Sequence, residues 1–507
     1  MVEKENKIRN LIGYILLGCA GLCIVLFAFQ ISAEDIWYDE VFSMGFIGKD
    51  VNTLLHLAAR DVHPPLYYLY LKAITESVMA LCKNASAIIV SKAASILPLV
   101  LLGIVGYIKV ARKHGMFTYG LFMLLVTIMP NISNYYVEIR MYSLALFFIT
   151  FACIIADEIA CGEDRLSKWI AFFVLGIMTA YTQYYALVAV VGIYVALGIA
   201  LILYGKHDKK YRNKNVIRLV VCAVVSVGAY IPWLPVVARQ VNTISGNYWI
   251  QPLSFRSIFG CIKYIIMPVA NNYCAVLIGT ALIGLTIAAC VVGYVLMIKK
   301  NDILIHSIIY IMPLIVVILS GFVLSAMGTP IFVYRYMIPT LGAFWLMMAM
   351  IIGRLDIKVW PYILSIALIV AGGVCLKGFY DEEHKKVTLS SEAMETIDCI
   401  PKNSVIVTNF DHITALMGYY RPDCYVYIYD GNVDKLIPQM FERCGKTISA
   451  EKMNEFAKQN KHFYFFGSFN SREDIVDDWH RLGIDSNELC DILVERYWIK
   501  IYEESYQ

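Results

Sequence analysis

Of the 507 residues, 59% are hydrophobic and only 16% charged, and the mean hydropathy is +0.62, which is more apolar surface than a soluble core needs. A net charge of +3 is close to balance and gives no sign of a nucleic-acid partner. Composition therefore excludes an ordinary soluble globular protein and points to a polytopic membrane protein.

Apolar runs long enough to cross about 30 Å of hydrocarbon recur through residue 380. They predict about eleven helices, near 11–31, 88–108, 117–134, 141–160, 168–184, 185–204, 216–237, 273–298, 303–326, 335–352 and 360–379. Basic clusters at Lys4–Arg9, Lys109–Lys113, Arg165–Lys168, Lys206–Lys214, Lys299-Lys300 and Arg354–Lys358 follow every second run. By the positive-inside rule these loops and the N-terminus are cytoplasmic, and the C-terminus lies outside. The first run is long and lacks a small-x-small cleavage pattern, so it reads as a retained helix rather than a signal peptide. The stretch 258–272 reads as a re-entrant or interfacial helix.

The first outer loop, about 32–86, carries Trp37-Tyr38-Asp39-Glu40. Carboxylates at a membrane surface are costly unless a polar cavity holds them. A sugar-transferring enzyme needs such a group, because an acceptor hydroxyl must lose its proton as it attacks. Asp39 is the candidate base, with Glu40 beside it; a solvated acidic helix start is the competing reading. Further on stands Asp61-Val62-His63-Pro64-Pro65-Leu66-Tyr67-Tyr68, where successive prolines hold the chain extended. Residues i and i+2 then share a side, so Asp61 and His63 can pair or converge on one substrate. One His with one Asp is too few ligands for zinc, and no metal ligands are assigned.

Candidate phosphate-binding residues are cations on the side where positive charge is scarce. Arg140, followed by Tyr142, lies at the mouth of one helix and Arg335 at the start of another, where a guanidinium can form paired hydrogen bonds to a phosphate. Snorkelling to headgroups is the alternative. Arg239, Arg256 and Lys263 flank the outer loop bearing Tyr248 and Trp249 and are candidates for a donor groove. Trp37, Tyr67, Tyr248 and Trp249 are the candidate substrate-contacting aromatics, although interfacial belts also collect such residues.

Composition shifts after residue 380, dividing the chain into a membrane domain, 1–380, and an outer domain, 381–507. In the latter, Ser404–Thr408 and His462–Phe466 read as strands, and Ser391–Cys399 and Ile448–Gln459 as helices, which makes a small α/β domain. Most of the 14 cysteines fall in membrane runs; Cys399, Cys424, Cys444 and Cys490 are the candidates for a bridge. No internal repeat stands out, which disfavours transporters built from related halves.

Four segments together resemble the polytopic GT-C glycosyltransferases, specifically bacterial protein O-mannosyltransferases and lipid A aminoarabinose transferases. They are Trp37-Tyr38-Asp39-Glu40, Asp61–Tyr68, Glu138-Ile139-Arg140-Met141-Tyr142-Ser143 and Arg335-Tyr336-Met337-Ile338-Pro339. The resemblance covers about residues 10–380 and implies a GT-C-like helical membrane fold with a small C-terminal α/β extracytoplasmic domain. It implies a sugar donor on polyprenyl phosphate and an acceptor outside the cytoplasmic membrane, either a cell-envelope lipid, a glycan or a protein. It also implies Asp39 as base, Asp61 and His63 as secondary site residues, and Arg140 as a contact to the donor phosphate. No Asp-x-Asp motif is present in the loop, so the resemblance leaves a divalent cation open. The rival readings are a protein O-mannosyltransferase among enzymes, and a lipid or polysaccharide transporter or a non-catalytic envelope assembly protein outside them.

Overall fold

The computed structural model describes residues 2–506 except 30, 32–34, 129–132, 205–208, 245–249, 251, 268–272, 298–300, 329 and 356–358. Among these, eight helices are long and apolar enough to cross a membrane: Lys7–Phe29, Ala87–His114, Tyr142–Ala160, Tyr184–Leu203, Lys209–Val241, Tyr273–Val295, Ile303–Met327 and Tyr334–Gly353. Shorter apolar helices span Met116–Thr127, Leu166–Ala180 and Tyr362–Val374. The protein is thus a multi-pass membrane protein, and each expected apolar run coincides with a helix. The abutting runs 168–184 and 185–204 correspond to helices Leu166–Ala180 and Tyr184–Tyr204, joined by Tyr181-Thr182-Gln183. Among its described residues, the 258–272 stretch carries the short helix Arg256–Ile266.

Tyr142–Ala160 is the axis of the bundle: nearly all of it is buried, with Ile338–Gly353, Leu166–Ala180 and Tyr184–Tyr204 packed around it. Van der Waals contact rather than the hydrophobic effect joins helices in lipid, so small residues decide how close they come. A Cβ on Gly13 would meet the Met116 carbonyl, and one on Gly120 would meet the Gly13 carbonyl, so the first helix seats directly on the backbone of Met116–Thr127.

Between the first long helix and Ala87–Gly106, the chain folds into three helices, Tyr38–Ile47, Val51–Ala58 and Leu66–Leu81. In the first turn of the Tyr38–Ile47 helix, the Glu40 carboxylate reaches back to accept the Trp37 N–H at 2.9 Å, the acidic half of a capping box. This places Asp39 and Glu40 in its first turn, where the helix dipole favours negative charge.

A single helix, Trp360–Asp398, runs through residue 380, so the change in composition there marks no break in the backbone. Beyond it, six strands form one sheet: β1 Val405–Thr408, β2 Tyr425–Tyr429, β3 Cys444–Ile448, β4 His462–Ser468, β5 Ile484–Val494 and β6 Tyr497–Tyr506. Their order is β3-β2-β1-β4-β6-β5, parallel from β3 to β4 and antiparallel through β6 and β5. The expected β1 and β4 are present, and Ser391–Cys399 is the end of the long helix. The segment 448–459 divides into the last residue of β3 and helix Met453–Gln459. Cys399, Cys424, Cys444 and Cys490 are all free; the buried Cys444 thiol donates to the Thr414 carbonyl at 3.2 Å instead of forming a bridge.

The close Gly13–Gly120 approach yields a stability test. Gly120→Leu is expected to cost at least about 1–3 kcal/mol through overpacking, seen as a lower melting temperature in detergent, whereas Gly18→Leu, where an added Cβ meets nothing, is expected to be neutral.

Candidate active site

Arg140 is only 4% exposed, and its partners define the site. Its guanidinium donates to the Asp39 backbone carbonyl at 2.9 Å and approaches the Asp39 carboxylate at 3.8 Å. Arg335, from the short turn Tyr334–Met337 that leads into Ile338–Gly353, reaches the same Asp39 oxygen at 3.5 Å and lies 5.7 Å above the Trp37 ring. Two cations from distant parts of the chain thus converge on one carboxylate.

The Asp61–Pro65 segment bends rather than forming a strand, yet the expected pairing is present, with His63 Nδ1 3.3 Å from Asp61 Oδ2. Arg140 can only donate, so His63 Nε2, 3.4 Å away, accepts; His63 Nδ1 then carries the proton and donates to Asp61. Burial and the Arg140 charge lower the His63 pKa, in keeping with that tautomer. Burial raises the Asp61 carboxyl, but its bonds to His63 and the Arg140 charge outweigh that and hold it below the usual carboxylate range. The Tyr68 hydroxyl completes the group, donating to Asp61 at 2.9 Å.

Glu40 is turned away from this cluster. One oxygen takes the Trp37 N–H and the other the Ile139 N–H at 2.6 Å, which ties the first helix turn to the segment before Tyr142–Ala160. Burial pushes its pKa up to about 7. Glu138 is likewise raised to about 8, first by burial and then by the Glu40 charge, and its Oε2 is buried without a hydrogen-bond partner. Glu138, at the head of the Glu138–Ser143 segment, carries no functional signal in the sequence; it gains one only once folding brings it near Glu40 and Arg335.

Of the other expected site residues, Tyr142 is buried at the start of its helix, its ring 4.9 Å from Tyr135. Tyr67 is fully buried with its hydroxyl 3.2 Å from Ser95, so it belongs to the packing beneath the site rather than to an open surface. Arg256 and Lys263 are exposed on helix Arg256–Ile266, and among the described residues no ion pair joins them to Asp39. Tyr248 and Trp249 lie outside the described residues.

A cavity of about 260 Å³ begins at Val62 and His63 and runs between helices Tyr184–Tyr204, Leu234–Ile244 and Asn301–Met327. Its walls are mainly apolar, and its polar residues include Gln183, Tyr184, Gln240 and Tyr336. Both amide atoms of Gln183, which is 2% exposed, have no partner among the described residues, and neither has Trp37 Nε1. Buried polar groups without partners are rare in folded proteins and call for an explanation such as a missing ligand.

Among the described residues, the one group of three ligand-type side chains within reach of a single metal is Asp157, Cys161 and His306. It lies roughly 25 Å from Arg140 along the axis helix at 1.5 Å per residue. Asp157 is bonded to His306 Nδ1 and, at 3.2 Å, to Lys113, while Arg354 donates to His306 Nε2 at 3.1 Å. With both imidazole nitrogens taken and two cations adjacent, these residues fit an ion network and not a metal site.

No family model matches the chain, and no curated protein matches it in sequence. Solved structures do. ArnT from Cupriavidus metallidurans in the apo state aligns with a TM-score of 0.61 at 12% identity over 97% of this chain and 98% of that one. The same protein bound to undecaprenyl phosphate aligns at 0.59 and 11% identity, with the same coverage.

The raised carboxyls predict a pH dependence. A folded pKa above the usual 4.5 means that the stabilisation is complete below about pH 4.5 and is lost as pH rises through about 7 for Glu40 and about 8 for Glu138. The melting temperature should therefore fall over that window, and Glu138→Gln should make the fall shallower.

Across nearly the whole length of both chains, then, this protein has the fold of ArnT, with a small sheet domain following the helices.

Proposed function

We propose that the protein is an integral-membrane glycosyltransferase that moves a sugar from a polyprenyl-phosphate donor to a cell-envelope lipid or glycan by a single inverting displacement. The observation that carries this reading is the Asp39 carboxylate facing Arg140 and Arg335 at 3.8 and 3.5 Å, with the apolar cavity opening at the adjoining His63. A phosphate entering there would draw both guanidinium groups onto its oxygens, where paired charge-assisted hydrogen bonds are strongest. The prenyl chain would lie in the cavity, with Gln183 bonding to the polar head.

The chemistry follows from that placement. The acceptor O–H attacks the anomeric carbon, its proton passes to Asp39, and the bond from that carbon to the phosphate oxygen breaks. The electron pair leaves with polyprenyl phosphate, whose growing charge Arg140 and Arg335 neutralise. Attack opposite the leaving group inverts the centre, so a β-linked donor gives an α-linked product. Asp61 keeps His63 in the tautomer that accepts from Arg140, which fixes that guanidinium. The arginines supply the charge that a cation would otherwise provide. The bias of Lys and Arg along the chain supports a cytoplasmic N-terminus and an extracytoplasmic active site and C-terminal domain. The fold of ArnT, solved with undecaprenyl phosphate bound, supports the donor class.

The test is transfer of labelled sugar from a panel of polyprenyl-phosphate sugars in proteoliposomes supplied with envelope extract. Asp39→Asn should lower turnover by about 10²–10⁴-fold while polyprenyl-phosphate binding is kept. Arg335→Ala should weaken donor binding and turnover together. Label found on protein instead of lipid or glycan would make the protein an O-mannosyltransferase-type enzyme; full activity in Asp39→Asn would refute the base assignment.

A further inference from the structure

The sheet domain touches the catalytic helix at its first residues. In open parallel sheets, the crevice at the carboxyl ends of the strands, where strand order reverses, is the usual ligand position. Here that point lies between β1 and β4, whose ends are tied together by Asn409, which accepts the Ser468 N–H at 2.7 Å and donates to its carbonyl at 2.8 Å. Just beyond β1 stands His412, and what it holds is Tyr38: the two rings stack at 4.0 Å with 6° between their planes.

Glu495 completes the grip. It sits in the Glu495-Arg496 turn between β5 and β6 with φ +61°, a left-handed conformation in which glycine is the easy residue and glutamate is strained. Its side chain is only 4% exposed; one oxygen accepts the Tyr38 N–H at 2.9 Å and the other faces His412 Nδ1 at 3.0 Å. From the same domain, the Tyr420 hydroxyl accepts the Ile36 N–H at 2.9 Å. A strained backbone position occupied by a buried charged residue, whose carboxylate bonds the amide of the residue preceding Asp39 and the imidazole stacked on that residue, is better explained by what it holds than by the turn it closes.

We propose that Glu495 is a positioning residue for the transfer reaction, and that the C-terminal domain, through Glu495 and His412, sets the first turn of the catalytic helix and hence the place of Asp39 between Arg140 and Arg335. This rests on the transfer activity proposed above. Arg140 holds the Asp39 carbonyl from the helix bundle, and Glu495 holds the Tyr38 amide from the sheet domain. A small displacement of a catalytic group costs rate more than binding.

Glu495→Gly separates positioning from stability, because glycine relieves the left-handed strain while deleting the carboxylate. Glu495→Gln keeps an acceptor for the Tyr38 N–H and serves as the conservative partner. Both are made in the full chain, and amide hydrogen exchange over residues 36–41 is followed together with kcat and donor KM. The expected result for Glu495→Gly is faster exchange confined to 36–41 and a kcat lower by about ten- to a hundredfold at a KM near that of wild type. Glu495→Gln should keep protection and most of its turnover. Wild-type protection and turnover in Glu495→Gly would overturn the proposal, as would loss of protection through β1, β4 and β6 in both variants. If wild type consumes no donor, the transfer reading fails, while exchange over 36–41 still decides whether Glu495 holds the catalytic helix.

Discussion

A guanidinium as deeply buried as that of Arg140 must be matched by an anion and by hydrogen-bond acceptors, because a lone buried charge is prohibitively costly. Meeting that requirement gathers residues from four parts of the chain. The Asp39 carbonyl and carboxylate come from the first loop, the His63 nitrogen from the proline bend and Arg140 from the head of the axis helix. Arg335 adds a second cation from the head of a late helix. The surrounding helices act as a scaffold whose deeply buried axis, Tyr142–Ala160, starts two residues after Arg140. Glu40 reinforces the arrangement by capping two backbone amides, of Trp37 and Ile139, with its two oxygens.

The same physics operates at the other end of the axis helix with a different outcome. There Asp157 takes His306 and Lys113, Glu158 takes Lys109 and Lys168, and Arg354 covers the remaining imidazole nitrogen. That network is closed. At Asp39 it is open: Trp37 Nε1, Glu138 Oε2 and the Gln183 amide are buried with no partner among the described residues, and Gln183 lines a cavity with room for part of a lipid. Satisfied charges rigidify a bundle, whereas unsatisfied ones around a cavity mark where another molecule completes the set. The contrast is the reason to place function at one end and structural support at the other.

Much of this was legible in the sequence because membrane helices advertise themselves by length and apolarity. The Trp37–Glu40 and Asp61–His63 pairs, Arg140 and Arg335 stood out as charge where charge is expensive, and the fold brings them together. Exposed cations gave no such discrimination. Arg256 and Lys263 carry the right charge near the right loop, yet their positions follow from how a short helix lies, which composition does not encode. Tyr67 was a candidate substrate contact as an aromatic of the first outer loop, but its place in helix Leu66–Leu81 turns it into the core. The reach of the sheet domain was hidden for a further reason. Glu495 and His412 are unremarkable polar residues in their own segments, and only tertiary contact with Tyr38, more than 370 residues away, gives them meaning. The unbroken Trp360–Asp398 helix was obscured because it leaves the apolar part of the chain partway along, where a composition shift looks like a boundary.

The most direct check of the account is a structure of the wild-type protein with a polyprenyl phosphate bound. The account predicts the phosphate between the Arg140 and Arg335 guanidinium groups, displacing them from Asp39, with the prenyl chain in the cavity walled by Tyr184, Val188, Val237 and Leu324. A phosphate held elsewhere, with both arginines still on Asp39, would contradict it.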